Sequence, residues 1–182
     1  NDAYAYAKRM LEVHSLAYQQ QYNDNFICVI PTNIYGEHDN YSLEDGHVIP
    51  SLIHRCYLAK QNNENFIVRG TGKPLRQFIY SLDLAKLIMW SLTEYHQRES
   101  IILSVDEHDE VSIREVAKLI AQSFDYQDCI QFDDSFSDGQ YKKTADNSRL
   151  RSLNPDFKFT SIEEGIKRSV SWFKNNYPNC RY

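Results

Sequence analysis

A tyrosine and a lysine near the start of the chain have the spacing of an acid–base pair. Tyr4 and Lys8 stand four residues apart, so on a helix they share one face. An ammonium beside a phenol favours the phenolate, and such a tyrosine can protonate a carbonyl oxygen while a hydride reaches the carbon. The spacing alone is weak evidence, because a chain with 13 tyrosines is expected to contain roughly one such pair by chance.

The stretch that follows places polar residues at a second candidate site. The nearly continuous apolar run Phe26–Ile30 predicts a parallel strand covered on both faces. Residues 31–36, which are Pro31, Thr32, Asn33, Ile34, Tyr35 and Gly36, follow it as a turn, at the sheet edge where open α/β folds bind ligands. The alternative is an ordinary tight turn, in which Asn33 satisfies nearby backbone groups.

Alternating apolar patterns predict the elements that would position these residues. An amphipathic helix is predicted over residues 4–22, with Met10, Leu11, Leu16 and Ala17 facing inward. Ser81 is predicted to cap a helix, and capping boxes are predicted at Ser112–Glu115 and Thr160–Glu163. Further strands are predicted at 66–68, 76–80, 101–105 and 130–132, and further helices at 47–60, 81–95, 112–124, 148–153 and 160–175. This alternation indicates the α/β class, with no clear linker.

Composition limits the classes of function. The 182 residues suit one domain, or one and a piece, and the net charge of -5 argues against general nucleic-acid binding. We find no membrane-length apolar run and no signal peptide. The chain has no initiator Met and opens within a helical pattern, which predicts a fragment whose amino-terminal portion is absent.

Cysteines and histidines do not indicate a metal site. Cys28, Cys56, Cys129 and Cys180 lack a C-x-x-C spacing, so we expect free thiols, a cytoplasmic protein and no zinc. Five histidines show no metal-ligand spacing and are interpreted as structural: His14, His38, His54, His96 and His108.

Several longer motifs occur in a specific order along the chain. They are Tyr4–Arg9, Ile30–Asn40, Glu44–Pro50, Arg76–Leu84, Ile101–Val105, Ser137–Gly139 and Lys142–Ala145. Taken together, the motifs resemble the extended short-chain dehydrogenase/reductase family, from about residue 1 to about residue 175. Within it the chain is most similar to enzymes that epimerise and reduce GDP-4-keto-6-deoxy-D-mannose.

The resemblance implies how the chain is organised. It corresponds to the carboxyl-terminal part of such an α/β enzyme. Residues 1–47 would be the end of an NADP-binding Rossmann domain. Residues 48–182 would be mainly a substrate-binding domain for the GDP-sugar, with some segments returning to the Rossmann sheet.

The resemblance also implies roles for individual residues. Tyr4, Lys8 and His47 would be catalytic, whereas Lys8, His47 and residues 31–34 would bind NADP. For His47, the alternative is a surface or capping group. The partner acid–base cysteine of the family lies upstream of the catalytic tyrosine, so none of the four cysteines takes that role.

Three arginines and one aspartate would contact the substrate: Arg55, Arg69, Arg76 and Asp138. Guanidinium groups suit a diphosphate, and a carboxylate suits a guanine edge or a sugar hydroxyl. For Arg55, the alternative is a solvated helix face. Arg69 stands where the family usually has Trp, so its contact with the base is either kept as stacking or lost.

The implied activity is epimerisation at C3 and C5 and reduction at C4 to GDP-L-fucose, with NADPH as reductant. It would occur in a homodimer, and the fragment alone is expected to be inactive. Two alternatives stay open: another nucleotide-sugar epimerase or dehydratase of the same family, and a non-catalytic nucleotide-sugar-binding module.

Overall fold

The computed structural model of this chain describes residues 2–182. Its helices are α1 (Asp2–Tyr22), α2 (Val48–Asn62), α3 (Ser81–Thr93), α4 (Ile113–Ser123), α5 (Ser148–Leu153) and α6 (Ile162–Asn176). Its strands are β1 (Val29–Pro31), β2 (Asn33–Tyr35), β3 (Phe66–Arg69), β4 (Leu75–Arg76), β5 (Phe78–Tyr80), β6 (Ile101–Leu103), β7 (Val111–Ser112) and β8 (Ile130–Asp133).

The strands pair mostly in parallel, between segments far apart in the sequence. β1 pairs with β6, β2 with β5 and β3 with β8, all in parallel, whereas β4 and β7 are antiparallel. Parallel neighbours need a long crossover, which the intervening helices supply. The α/β class predicted from the sequence is therefore confirmed.

The strand β5 separates two apolar cores because its side chains alternate in direction. Phe78 and Tyr80 belong to the larger core, together with residues from α2, α4, α6 and β3. Ile79 belongs to the smaller core, together with residues of α3, β6 and α5. This short strand thus holds the two halves of the molecule in a fixed relation.

The first strand and the turn after it differ from the prediction. β1 begins at Val29, so Cys28 precedes the strand and is half-buried. Ile30 is 42% exposed, so β1 is not covered on both faces. Residues 33–35, predicted as a turn, form β2 instead, because Asn33, Ile34 and Tyr35 pair in register with Phe78, Ile79 and Tyr80.

The prediction for the interior face of α1 is wrong. Met10, Leu11 and Leu16 are exposed, and Gln19 is the buried residue of this helix. The Gln19 side-chain amide donates to the carbonyl oxygen of Phe26. A polar contact with the connection to β1, rather than an apolar face, therefore ties the end of α1 to the fold.

The predicted helix starts were partly right. Ser112 and Glu115 form the reciprocal capping box at the start of α4. At α6, the cap is Ser161, whose hydroxyl accepts from the Glu164 backbone N–H, so the box predicted one residue earlier is wrong. At α3, Tyr80 is the N-cap and Ser81 is the first helical residue. Over residues 2–182, no helix is both long and apolar enough to cross a membrane.

Candidate active site

A cavity of about 640 Å³ brings together the residues predicted to be catalytic or to bind the cofactor. α1 contributes Tyr4 and Lys8, and residues 31–34 contribute the strand edge. His47 lines the same cavity from the start of α2. Residues that are distant in the sequence therefore surround one space.

Tyr4 and Lys8 lie on one face of α1, as their spacing requires. The Lys8 Nζ atom lies 5.7 Å from the centroid of the Tyr4 ring. Tyr4 is 66% exposed, so its hydroxyl is open to a ligand. The pair can therefore present a phenol with a cation beside it to whatever enters the cavity.

The strand edge is fixed by hydrogen bonds to β5 and β6. Asn33 donates from its side-chain amide to the carbonyl oxygen of Gln77 at 2.9 Å, and the Asn33 backbone N–H donates to the same oxygen at 3.3 Å. The Thr32 N–H donates to Leu103 at 3.4 Å. Asn33 thus binds backbone 44 positions away, rather than satisfying a local turn.

The side-chain hydroxyl of Thr32 is a candidate contact for a bound ligand. Its hydroxyl oxygen is buried, and none of residues 2–182 makes a hydrogen bond with it. Buried hydroxyl groups are normally paired, because an unpaired one loses its bonds to water. A bound group reaching this edge of the cavity would supply the partner.

His47 is positioned by the helix that it precedes. It is the N-cap residue of α2 and has extended backbone, and its carbonyl oxygen accepts from the Ser51 N–H. Among the described residues, its imidazole makes no capping hydrogen bond. The imidazole therefore does not act as a cap, but His47 is exposed, as the surface alternative expected, and it lines the cavity.

A second cavity, of about 320 Å³, gathers the four residues predicted to contact the substrate. Its lining includes Arg55, Arg69, Arg76 and Asp138. Val48 lines both cavities, so the two adjoin at the start of α2. Three guanidinium groups around one space create a site suited to an anion with several oxygens.

The backbone around the second cavity holds two of the guanidinium groups in place. Arg55 donates to the carbonyl oxygen of Leu43 at 2.6 Å. Arg76 donates to Leu75 at 2.7 Å and to Gln140 at 2.8 Å. Burial, with a smaller contribution from the charge of Arg69, lowers the pKa of Arg55. An anionic ligand would relieve this unfavourable environment.

Arg69 contacts an aromatic ring within the same region. Its guanidinium carbon lies 4.9 Å from the centroid of Phe136, within the range of a cation–π contact. Arg69 also lines the second cavity. A planar cation backed by a ring therefore stands where the family usually has an indole.

Asp138, predicted to contact the substrate, also forms hydrogen bonds within the protein. Its carboxylate accepts from the Thr71 N–H at 2.7 Å and from the Thr71 hydroxyl at 2.5 Å. The hydroxyl contact holds the pKa of Asp138 below its usual value. Asp138 thus fixes the turn at Gly70 and Thr71, as well as lining the cavity.

Sequence reasoning did not single out Glu37, which lines the first cavity. Both of its carboxylate oxygens accept from the Tyr80 hydroxyl, at 2.6 and 2.5 Å. Burial and this hydrogen bond raise the pKa of Tyr80 to about 12. The position of Glu37 directly after Gly36, in a motif already noted, was the available signal, but its partner 43 residues away was not visible.

One group of side chains near His108 has the geometry of possible metal ligands. Ligand atoms of Asp106, His108 and Asp109 lie within 4.8 Å of one another, a grouping that the sequence spacing did not indicate. The Asp106 carboxylate, however, accepts from Arg151 and Asn147. We therefore interpret Asp106 as part of the hydrogen bonding between the end of β6 and α5, and His108 as a structural residue.

Comparison with known proteins identifies the family. Residues 1–105 match the NAD dependent epimerase/dehydratase family. The chain belongs to this family. The match includes the Tyr4 and Lys8 pair, the strand edge, His47, and three of the four candidate substrate-contacting residues.

Two relatives of this chain are named as a GDP-L-fucose synthase and a probable GDP-L-fucose synthase. The chain is 55% identical over 181 residues to the GDP-L-fucose synthase of Dictyostelium discoideum and 47% identical over 188 residues to the probable GDP-L-fucose synthase of Drosophila melanogaster. All of this chain is covered in both cases, but only 57% and 59% of the relatives.

Among solved structures, the chain is similar to a GDP-L-fucose synthetase of Naegleria fowleri bound to NADP. The sequences are 46% identical, and the TM-score is 0.96. The comparison covers all of this chain and 56% of the other. The chain therefore spans a little more than half the length of the relatives that it matches.

Proposed function

We propose that the protein carrying this chain converts GDP-4-keto-6-deoxy-D-mannose to GDP-L-fucose, by epimerisation at C3 and C5 and NADPH-dependent reduction at C4. The observation that carries the proposal is the adjoining pair of cavities. One holds the Tyr4, Lys8 and His47 side chains, and the other holds three arginines. The names of the relatives support the choice of substrate.

The first cavity fits the nicotinamide end of NADP. Its strand edge offers a buried Thr32 hydroxyl that makes no hydrogen bond with residues 2–182, and Lys8 offers a cation. The NADP-bound structure of a similar protein supports this choice of cofactor. Bound NADPH supplies the hydride for reduction at C4, while Lys8, His47 and residues 31–34 hold the cofactor.

Two side chains that line this cavity, Tyr4 and His47, would carry the acid–base steps. Tyr4 donates its phenolic proton to the C4 oxygen as that oxygen becomes negative, and the Lys8 ammonium stabilises the phenolate that results. Epimerisation at C3 and C5 needs a base that removes a proton from one face of the sugar and an acid that returns one to the other face. We assign one of these two roles to His47, whose imidazole makes no capping hydrogen bond with the described residues; the family's partner acid–base cysteine would take the other. The two steps thus use different residues.

The second cavity fits the GDP portion of the substrate. Arg55 and Arg76 provide guanidinium groups for the diphosphate oxygens, and Arg69 with Phe136 provides a planar surface for the guanine. Asp138 accepts from the base or from a sugar hydroxyl. The positive charge of the three arginines would attract the negatively charged diphosphate. The second cavity therefore favours a nucleotide-linked sugar.

The two cores support the domain organisation that the resemblance implied. We assign residues 1–47 to the end of the NADP-binding domain and residues 48–182 mainly to the substrate domain. α3, β6 and α5 return to the cofactor side, because their apolar residues share the smaller core with Val29 of β1. The larger core holds mainly residues of the substrate side, together with Tyr35 and Tyr41 of the first segment.

We also propose a homodimer in the cytoplasm. Large apolar side chains are exposed on α1 and α3, including Tyr6 (72%), Met89 (60%) and Leu92 (68%). Exposed large apolar side chains on helices suit a protein interface. All four cysteines, each within the described residues, are free thiols, which supports a reducing compartment.

Isolated residues 1–182 are expected to bind NADPH poorly. The first cavity would bind only the nicotinamide end of NADPH. The relatives that the chain matches are nearly twice as long. Titration calorimetry of the isolated chain should therefore show no tight binding. A dissociation constant in the micromolar range would contradict this expectation.

The proposed reaction is tested in the natural protein with GDP-4-keto-6-deoxy-D-mannose, NADPH and deuterated water. We expect NADPH oxidation, GDP-L-fucose as product, and deuterium at C3 and C5. A nucleotide-sugar epimerase or dehydratase with another substrate would leave this sugar unreduced. A binding module would bind GDP and leave both the sugar and NADPH unchanged.

A further inference from the structure

Gln77 lies between the two cavities, where no role has been assigned so far. It separates β4 from β5 and is fully buried. The residue before it, Arg76, lines the second cavity, and the residue after it, Phe78, lines the first. A movement of the Gln77 backbone would therefore shift a lining residue of each cavity.

The side-chain amide of Gln77 contacts both the segment after β6 and the segment before α5. Its Nε2 donates to the carbonyl oxygen of Val105 at 2.9 Å and to that of Ala145 at 3.2 Å. Its Oε1 accepts from the Ala145 N–H at 2.7 Å. All the strong hydrogen-bonding groups of this buried amide are therefore used, which fixes its orientation.

The segment held by this amide also supports the second cavity. Ala145 follows Gln140, whose carbonyl oxygen accepts from the Arg76 guanidinium. On the other side, the backbone oxygen of Gln77 accepts from the Asn33 N–H and side-chain amide. Gln77 therefore contacts Asn33 at the cofactor edge, Val105 just beyond the end of β6, and Ala145, which lies five residues after Gln140.

We propose that Gln77 is a positioning residue that sets the distance between the cofactor site and the nucleotide-sugar site. This inference rests on the proposed function, since the distance matters only if a reaction joins the two ligands. Gln77 touches neither cavity itself, and each ligand keeps its own contacts when the amide is removed. The loss should therefore appear in kcat more than in binding, because misplacing reacting groups by about 1 Å can cost about 100-fold in rate.

The test compares Gln77→Met with a matched variant, Asn147→Leu, in the natural protein. Asn147 is also a buried amide; it donates to Ser104 at 2.9 Å and to Asp106 at 2.8 Å, and it lines neither cavity. Both substitutions replace a buried amide beside the end of β6 by an apolar side chain of similar size. A purely structural role would give the two variants the same kinetics.

For Gln77→Met, we expect kcat to fall at least about tenfold, with the KM for each ligand within about threefold of its original value. Asn147→Leu should keep kcat within about twofold. Should Gln77→Met not fold, Gln77→Glu serves instead, because its carboxylate still accepts from the Ala145 N–H but cannot donate to Val105 when ionised. Equal kcat values for the Gln77 and Asn147 variants would overturn the inference.

Amide hydrogen exchange separates this inference from the proposed function. Removal of the Gln77 amide should accelerate exchange at the Ala145 and Asn33 N–H groups by about tenfold or more, as local opening becomes easier, and Asn147→Leu should not. Unchanged exchange at both groups would overturn the positioning role, whether or not the protein is active. A wild-type protein without the reaction would refute the proposed function, and the positioning role that depends on it.

Discussion

At the scale of single residues, the hydrogen bond between Tyr80 and Glu37 holds one wall of the first cavity. Tyr80 ends β5, and Glu37 follows β2, so the bond ties two parallel strands together just beyond their ends. An anionic acceptor makes such a bond stronger than a neutral one. Arg168 also lies near the Tyr80 ring, 5.9 Å from its centroid.

We expect Tyr80→Phe to lower the free energy of unfolding by about 1–2 kcal/mol, because Glu37 loses its donor while the ring is kept. Urea denaturation measures this change. Tyr18→Phe is the matched control, since Tyr18 is 51% exposed on α1, and we expect a change within about 0.5 kcal/mol. If both substitutions changed the free energy of unfolding equally, the hydrogen bond between Tyr80 and Glu37 would contribute nothing to stability.

At the scale of elements, α6 packs closely against β2 at Gly165. A Cβ on Gly165 would overlap the Tyr35 hydroxyl and lie 2.7 Å from Cζ of that ring. Tyr35 is buried in the larger core. The glycine therefore costs helix propensity but allows the helix to approach the strand that leads into the first cavity.

Gly165→Ala should destabilise the protein by about 1–3 kcal/mol, because overpacking outweighs the propensity gain of about 1 kcal/mol. Adding Tyr35→Phe removes the overlapping oxygen and should restore part of the loss. Thermal unfolding of the two single variants and the double variant measures this coupling. A stabilised Gly165→Ala variant would contradict the close packing.

A second contact between elements joins α5 to the end of β6. Arg151 donates from Nε and Nη2 to the Asp106 carboxylate at 2.8 and 2.5 Å. The hydrogen bond from Arg151 lowers the pKa of Asp106, against the opposing effect of burial. Since the folded pKa is depressed, the stabilisation is present above the ordinary carboxyl pKa of about 4 and is lost as pH falls below it.

We therefore expect Arg151→Lys to cost about 1–2 kcal/mol at neutral pH, because lysine cannot form the two-pronged contact. The difference from wild type should shrink as pH falls below about 4. Arg168→Lys, at an exposed pair with Glu164, should cost less than about 0.5 kcal/mol. A difference at Arg151 that is independent of pH would contradict the account.

At these two scales, the sequence predicted features set by local spacing better than it predicted contacts between distant residues. The four-residue spacing of Tyr4 and Lys8 predicted their shared face, and the Ser112 box predicted the start of α4. The same local reasoning placed Met10 and Leu11 inside, although this part of α1 is exposed. Periodicity marks an apolar face, but it does not say whether the described chain covers that face.

At the scale of the whole molecule, the site is an arrangement of segments that are distant in sequence. The sequence motifs nominated Tyr4, His47 and the three arginines, but not their division into two adjoining cavities. Glu37 and Gln77 were missed because their roles come from partners 43 and 28 or more positions away. Such pairings depend on the register of the parallel strands, which sequence periodicity does not specify.

The central claim is that separate residues carry reduction and epimerisation within one cavity. The most direct measurement uses the natural protein with GDP-4-keto-6-deoxy-D-mannose and NADPH in deuterated water, and compares Tyr4→Phe with His47→Gln. Tyr4→Phe should abolish NADPH oxidation yet still incorporate deuterium at C3 and C5, whereas His47→Gln should suppress that incorporation. Reduction at a nearly normal rate by Tyr4→Phe would contradict the account.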